Sequence, residues 1–96
     1  MKKRVLEKSW GGRGEHGFRY FDYERKGKNL IIYITVKDYD DWGGKSVLQA
    51  DKVKHMAFPI DGRKITREFV YECILTAGKE LKEEYLLPES PDELKI

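Results

Sequence analysis

Cysteine is nearly absent from this chain of 96 residues. Cys73 stands alone, so no intrachain disulfide can form and four-thiolate zinc sites are excluded. Side-chain amides are almost as scarce, Asn29 and Gln49 being the only two, while charged residues make up 38% of the chain. Abundant Lys, Arg and Glu with few thermolabile amides is the hyperthermophile pattern, and it predicts a thermophilic source, cellular or viral. No apolar run reaches the roughly eighteen residues of a membrane span, and Met1-Lys2-Lys3-Arg4 is not followed by a signal-peptide core. A cytoplasmic protein is therefore expected. The length allows a single domain with one modest core, which argues against a deep cleft between two lobes.

Charge is present in quantity but unevenly placed. Residues 1 to 28 hold nine basic and four acidic side chains, a balance of +5. Residues 29 to 60 hold four of each, and residues 61 to 96 hold six basic and nine acidic, a balance of −3. A basic N-terminal half beside an acidic C-terminal half points to one face for an anionic partner.

The apolar pattern predicts an α+β fold: a small antiparallel β-sheet of about four strands, covered on one face by a long C-terminal amphipathic helix. Ile65, Phe69, Val70, Cys73, Ile74, Ala77, Leu81 and Tyr85 recur at three- and four-residue spacing. Thr66 is a good N-cap and Pro88 a stop, which implies about twenty helical residues reaching roughly 30 Å. Gly78 in mid-helix implies close backbone packing. Phe18 to Arg25 and Leu30 to Lys37 read as a hairpin around Lys26-Gly27-Lys28-Asn29. With Gly27-Lys28 as a two-residue loop, Phe21, Tyr23, Leu30, Ile32, Ile34 and Val36 share one face. Phe18, Tyr20, Asp22, Ile31, Tyr33, Thr35 and Lys37 share the other. Val5 to Trp10 is a first strand. Residues 46 to 60 are assigned to strand because Lys52 to Phe58 alternates, although Ser46-Val47-Leu48-Gln49 also fits a capping box. Residues 1–87 then form one domain and 88–96 an extended, mobile acidic tail.

Two features could carry function. Trp10-Gly11-Gly12-Arg13 and Trp42-Gly43-Gly44-Lys45 both read Trp-Gly-Gly-cation, a combination suited to stacking on a base and contacting a phosphate; equally, both tryptophans could simply cap the core. The hairpin face away from the helix carries Phe18, Tyr20 and Tyr33 with Lys37 beside them, and aromatics on an open sheet face call for a partner. Residues 46 to 60 or a second copy could cover them, or single-stranded nucleic acid could stack there. Arg13, Lys26, Lys28 and Lys45 would supply phosphate contacts around that platform.

Catalytic patterns are weaker. Gly43-Gly44-Lys45-Ser46 resembles the end of a phosphate-binding loop, but Tyr39 stands where the loop needs its first glycine. Asp38, Asp40 and Asp41 lack the spacing of a calcium loop and read as a solvated acidic turn. His16 and His55 could serve a metal-free nuclease only if folding brings them together.

Four strands followed by one helix resembles small single-strand-binding and transcription-coactivator domains, in topology alone. An acidic tail ending in apolar residues is similar to the partner-docking tails of bacterial single-strand-binding proteins, which implies a protein partner for residues 88–96. The expectation is thus a single-stranded DNA- or RNA-binding homodimer, with Trp10, Phe18, Tyr20, Tyr33 and Trp42 stacking on bases and Arg13, Lys26, Lys28, Lys37 and Lys45 on phosphates. No cofactor or metal is expected. The alternatives are a small regulatory or inhibitor module using the same aromatic face, and, third, the nuclease.

Overall fold

The computed structural model describes residues 1–96. Four antiparallel strands run in meander order: β1 (Lys3–Gly12), β2 (Glu15–Lys26), β3 (Asn29–Trp42) and β4 (Lys45–Pro59). They are joined by the two-residue turns Arg13-Gly14, Gly27-Lys28 and Gly43-Gly44. Both Gly43 and Gly44 have positive φ, the condition for the primed turn that matches the twist of flanking strands. The strands are long, and the molecule extends 53 × 23 × 22 Å.

The Lys26↔Asn29 pairing of the central hairpin decides which side chains face inward. Phe21, Leu30, Ile32, Ile34 and Val36 lie on one face and are at most 1% exposed. Against them pack Val70, Cys73, Ile74 and Ala77 of the helix α1 (Arg67–Glu80), with Val5, Leu6, Ile60 and Leu94 closing the sides. Thr66 caps α1 through its side-chain oxygen, which accepts from the Phe69 N–H at 3.1 Å.

The long C-terminal helix expected from the apolar stripe is not there. α1 has 14 residues and ends at Glu80, two turns before Pro88, and the protein is a small mostly-β fold with one short helix rather than an α+β sheet under a long one. The stop is backbone geometry. Lys82 adopts φ +59, the Glu83 N–H donates to the Gly78 carbonyl at 2.7 Å, and the Lys82 N–H donates to Lys79 at 3.3 Å. These are the two bonds of a Schellman motif, formed here with lysine where glycine is usual. Leu81 and Tyr85 continue the helical spacing but lie in the return loop. That loop crosses α1 at Gly78, where an added Cβ would stand 2.7 Å from Leu87 Cδ2 and 3.1 Å from the Glu83 carbonyl oxygen. The close packing inferred at Gly78 is real.

Two further expectations change. The C-terminal segment is not a free extended tail: it makes a 3₁₀ turn at Pro91–Glu93, buries Leu94 to 2% exposure and bonds the Lys95 N–H to the Val5 carbonyl at 2.8 Å. Lys8 adds a hydrogen bond to the Leu87 carbonyl and a salt bridge to Glu93. The apolar end of the segment is therefore spent on β1. Asp38, Asp40 and Asp41 do not form a turn either. They continue β3, where alternation sets Asp41 on the face opposite Asp38 and Asp40, and the three do not converge as metal ligands. No helix is long and apolar enough to cross a membrane.

Ile74→Ala should cost about 2–5 kcal/mol, the range for large-to-small changes in a packed core. Lys82→Gly should instead stabilise by about 0.5–1 kcal/mol, by removing the steric cost of left-handed backbone at a solvent-exposed position. Paired thermal and denaturant melts would check both.

Candidate functional site

α1 spans only part of the inner face, and the uncovered end is filled by a polar cluster. Arg19, 7% exposed, pairs with Asp38 at 2.7 Å, and its guanidinium lies 5.6 Å from the Tyr85 ring. The Trp10 indole N–H donates to the same Asp38 carboxylate at 3.2 Å, and its ring meets Tyr85 edge-on at 6.1 Å. Gly17 makes this possible: a Cβ there would fall 2.2 Å from Trp10 Nε1 and 2.3 Å from Asp38 Oδ1. Desolvation pushes the Asp38 carboxyl up, but the Arg19 hydrogen bond and charge, aided by Trp10, hold it below the ordinary range. Trp10 is thus a structural side chain on the inner side of the sheet, not a member of an outer stacking surface.

The outer face carries an aromatic array. On β2, His16, Phe18 and Tyr20 occupy alternate positions; on β3, Tyr33 and Tyr39 do the same. Phe18 and Tyr20 lie parallel with centroids 6.0 Å apart, His16 stacks on Tyr39 at 4.9 Å, and Phe18 meets both His16 and Tyr39 edge-on. Tyr33 approaches His55 of β4 at 6.0 Å. All but His55 are half-buried by one another, and His55 is exposed. β4 does not fold over this surface. It pairs with β3 along its length and widens the same face, adding Asp51, Val53, His55 and Ala57.

Cations border the array. The Lys2 ammonium sits 4.1 Å above the Tyr33 ring and the Arg4 guanidinium 4.4 Å above Tyr20. Lys37 stands directly across from Phe18. Most carboxylates on this face are already engaged: Asp22 and Glu7 by Arg4, Asp41 by hydrogen bonds with His16 and Ser46, and Glu24 by the amino terminus and Lys26. Hydrogen bonds from the amino terminus and from the Tyr33 hydroxyl bring Glu24 down to about 2. Asp51 has no salt bridge.

Of the residues singled out from sequence, Phe18, Tyr20, Tyr33 and Lys37 come together. Arg13 lies at one end of the sheet, in the β1–β2 turn, with Lys45 near it at the protruding β3–β4 tip. Lys26 precedes the turn at the other end and Lys28 lies in it, about 40 Å away along β2. Arg13, Lys28, Lys37 and Lys45 form no salt bridge. Trp42, 81% exposed, sits at that tip away from the array. Four contributors were missed: His16, Tyr39, Lys2 and Arg4. Extending the two-residue alternation of β2 back to His16 and of β3 on to Tyr39 would have found the first two. The cations over the rings follow from β1 pairing and have no local signal.

The arrangement is poor for catalysis. His16 and His55 pair with Tyr39 and Tyr33, six residues apart on β3, which separates them by roughly 20 Å. The Ser46 hydroxyl donates to Asp41 at 2.7 Å, and His16 Nδ1 lies 2.9 Å from the other oxygen of that carboxylate, so serine and histidine share an acceptor rather than each other. The depression beside Phe18 and Tyr20, lined also by Glu7, Lys8 and Ser9, measures about 210 Å³, small for a ligand pocket. Burial pushes the Cys73 thiol up to about 11, away from the reactive thiolate.

Fold and site together define a small mostly-β domain with an open, aromatic sheet face. No protein-family model, curated protein or solved structure matches the chain.

Asp38 is depressed, so its stabilising contribution is complete above the ordinary aspartate value of 3.8 and is lost as pH falls below it. Asp38→Asn should lower stability near neutral pH by about 1–3 kcal/mol, since it leaves the Arg19 guanidinium unmatched. It should also flatten the acid limb of the melting temperature against pH, which a thermal titration from pH 7 to pH 2 would read.

Proposed function

We propose that the outer sheet face binds single-stranded nucleic acid. The observation that carries this reading is the group of Phe18, Tyr20 and Tyr39, with Tyr33 on the same sheet face, which no helix or strand of the chain covers and only the Lys2 and Arg4 side chains cross. Every base has a π-face, and stacking on an aromatic side chain contributes about 1–3 kcal/mol per base without requiring a particular sequence. Lys37 beside Phe18, with Lys2 and Arg4 over the rings, would hold the phosphate chain, while Arg13 and Lys45 at one end and Lys26 and Lys28 at the other would extend the electrostatic track. The internal matching of most carboxylates on the face weakens their repulsion of a polyanion. Trp10 and Trp42 have no part in this version of the site.

The second reading is a regulatory or inhibitor module that uses the same surface against another protein. It is favoured by unmatched Asp51 and by Val53, 52% exposed, at the β4 side of the array, where an apolar and partly acidic border suits a protein better than a phosphate chain.

Salt and mutation separate the two. A labelled single-stranded oligonucleotide should bind at low salt and weaken steeply towards moderate salt. Tyr20→Ala and Tyr39→Ala should each weaken binding by about 1–3 kcal/mol, whereas Lys26→Ala and Lys28→Ala should mainly reduce the salt slope. Fluorescence anisotropy, with melts run alongside and heparin as a competitor, gives the comparison. Equal binding of heparin and unchanged binding by both tyrosine variants would remove the platform and leave the protein-partner reading.

A further inference from the structure

The two edges of the sheet are treated differently. β1 is closed off: residues 87–95 run beside it, with the Lys95 N–H on the Val5 carbonyl, and a bulge between Arg4 and Leu6 interrupts its ladder. β4 has no covering segment, and its one bulge, at Gln49, leaves the rest of the strand regular. At 15 residues it is the longest strand, and no backbone hydrogen bond from elsewhere in the chain reaches its outer side. A long open edge is a template for another strand.

The side chains along this edge identify the occupant. Between the bulge at Gln49 and the end of the strand the pairing is regular from Ala50 to Pro59, and Val53 is the large aliphatic side chain exposed along it. A two-fold axis through Val53, perpendicular to the sheet, pairs two β4 strands antiparallel. Val53, 52% exposed, then faces its own copy, and Asp51 faces His55 of the partner subunit. Asp51, which has no intrachain ion pair, thereby gains a hydrogen-bonding one. Lys52 would oppose Lys54 of the partner subunit, but each copy already holds both on its own Glu83, at 3.0 and 2.8 Å, which reduces their repulsion.

The ends of the edge are complementary in the same register. At one end lies a groove of about 410 Å³ between β4 and α1, lined by Phe58, Pro59, Phe69 and Cys73 with Glu68 and Glu72 on its outer wall. At the other, the protruding β3–β4 tip exposes Val47 at 48%, Trp42 at 81% and Lys45. The one-residue bulge at Gln49 brings Val47 level with Phe58 across the axis, both on the α1 side of the sheet. An apolar tip then enters an apolar groove twice, and Lys45 reaches the partner's Glu68 and Glu72. Arg63, also in the groove, is held over the Phe69 ring and on the Ile60 carbonyl.

We propose that the open edge of β4 is a self-association surface, through which two copies join into one eight-stranded sheet about a two-fold axis at Val53. The axis keeps both helices on one side and both aromatic faces on the other. The proposal rests on the edge and groove alone and does not depend on what the aromatic face binds.

Sedimentation equilibrium of the full chain from about 1 to 100 μM should give a dimer. Val53→Lys sets like charges on the axis at a site that is exposed in the monomer, and should raise the dimer dissociation constant by about tenfold or more with an unchanged circular dichroism spectrum. Lys45→Glu should weaken the dimer, and adding Glu68→Lys and Glu72→Lys should restore it. Directly opposed residues stand about 4.5–5.5 Å apart at Cα, within disulfide reach, so Val53→Cys should oxidise to a covalent dimer whereas Val47→Cys should not. A monomer throughout the range, or a dimer indifferent to Val53→Lys and unlinked by Val53→Cys, overturns the proposal.

Discussion

Everything in this fold depends on the register of one hairpin. Because side chains alternate across a sheet, the Lys26↔Asn29 closure around Gly27-Lys28 sends Phe21, Leu30, Ile32, Ile34 and Val36 to one side and Phe18, Tyr20, Tyr33 and Lys37 to the other. A slip of one residue on either strand would mix the two sets. The apolar set is what α1 packs against, and the aromatic set is what remains outside. The core and the candidate site are therefore two consequences of the same pairing.

The long strands create a mismatch of lengths. Fourteen helical residues span about 21 Å, far less than the strands they cover. The molecule resolves it with chemistry that changes along the inner face: aliphatic side chains under α1, then the Trp10–Arg19–Asp38–Tyr85 cluster where the helix has ended. A charged pair there is tolerable because Asp38 accepts from both Arg19 and Trp10 and remains partly in contact with water. The return loop after α1 follows from the same economy of length. By stopping at Lys82 the chain frees residues 83–96 to cross Gly78, place Leu94 in the core and line β1, tasks that a helix running to Pro88 would have prevented.

The two edges and two faces give the surface its polarity of purpose. One face is filled by α1 and one edge by the C-terminal segment. The other face and the other edge are both left open by the chain itself, and they carry different side chains: aromatic rings with cations on the face, and aliphatic residues with a self-complementary charge pattern on the edge. Such a division keeps the proposed binding face clear of the proposed dimer edge.

Local sequence was enough wherever the physics was local. Alternation and turn residues determined the central hairpin, its register and the inner and outer membership of its side chains; three-four spacing and Thr66 determined where α1 begins; and Gly78 announced a close contact. Tertiary structure decided the rest. The spacing of Leu81 and Tyr85 is as helical as that of Phe69 and Ile74, so only the left-handed backbone at Lys82, favoured by the packing of the return loop, could end the helix. The acidic tail looked free because its anchor, Leu94 against the core with the Lys95 N–H on Val5, joins the two ends of the chain. Trp10 and Trp42 share a tetrapeptide pattern but meet different surroundings, because Gly17 opposite Trp10 leaves room for an indole, whereas Trp42 pairs with Lys45 at the sheet tip and stays exposed. Short-range pattern states which side of its strand a residue occupies; what that side meets is decided by partners far away in the chain.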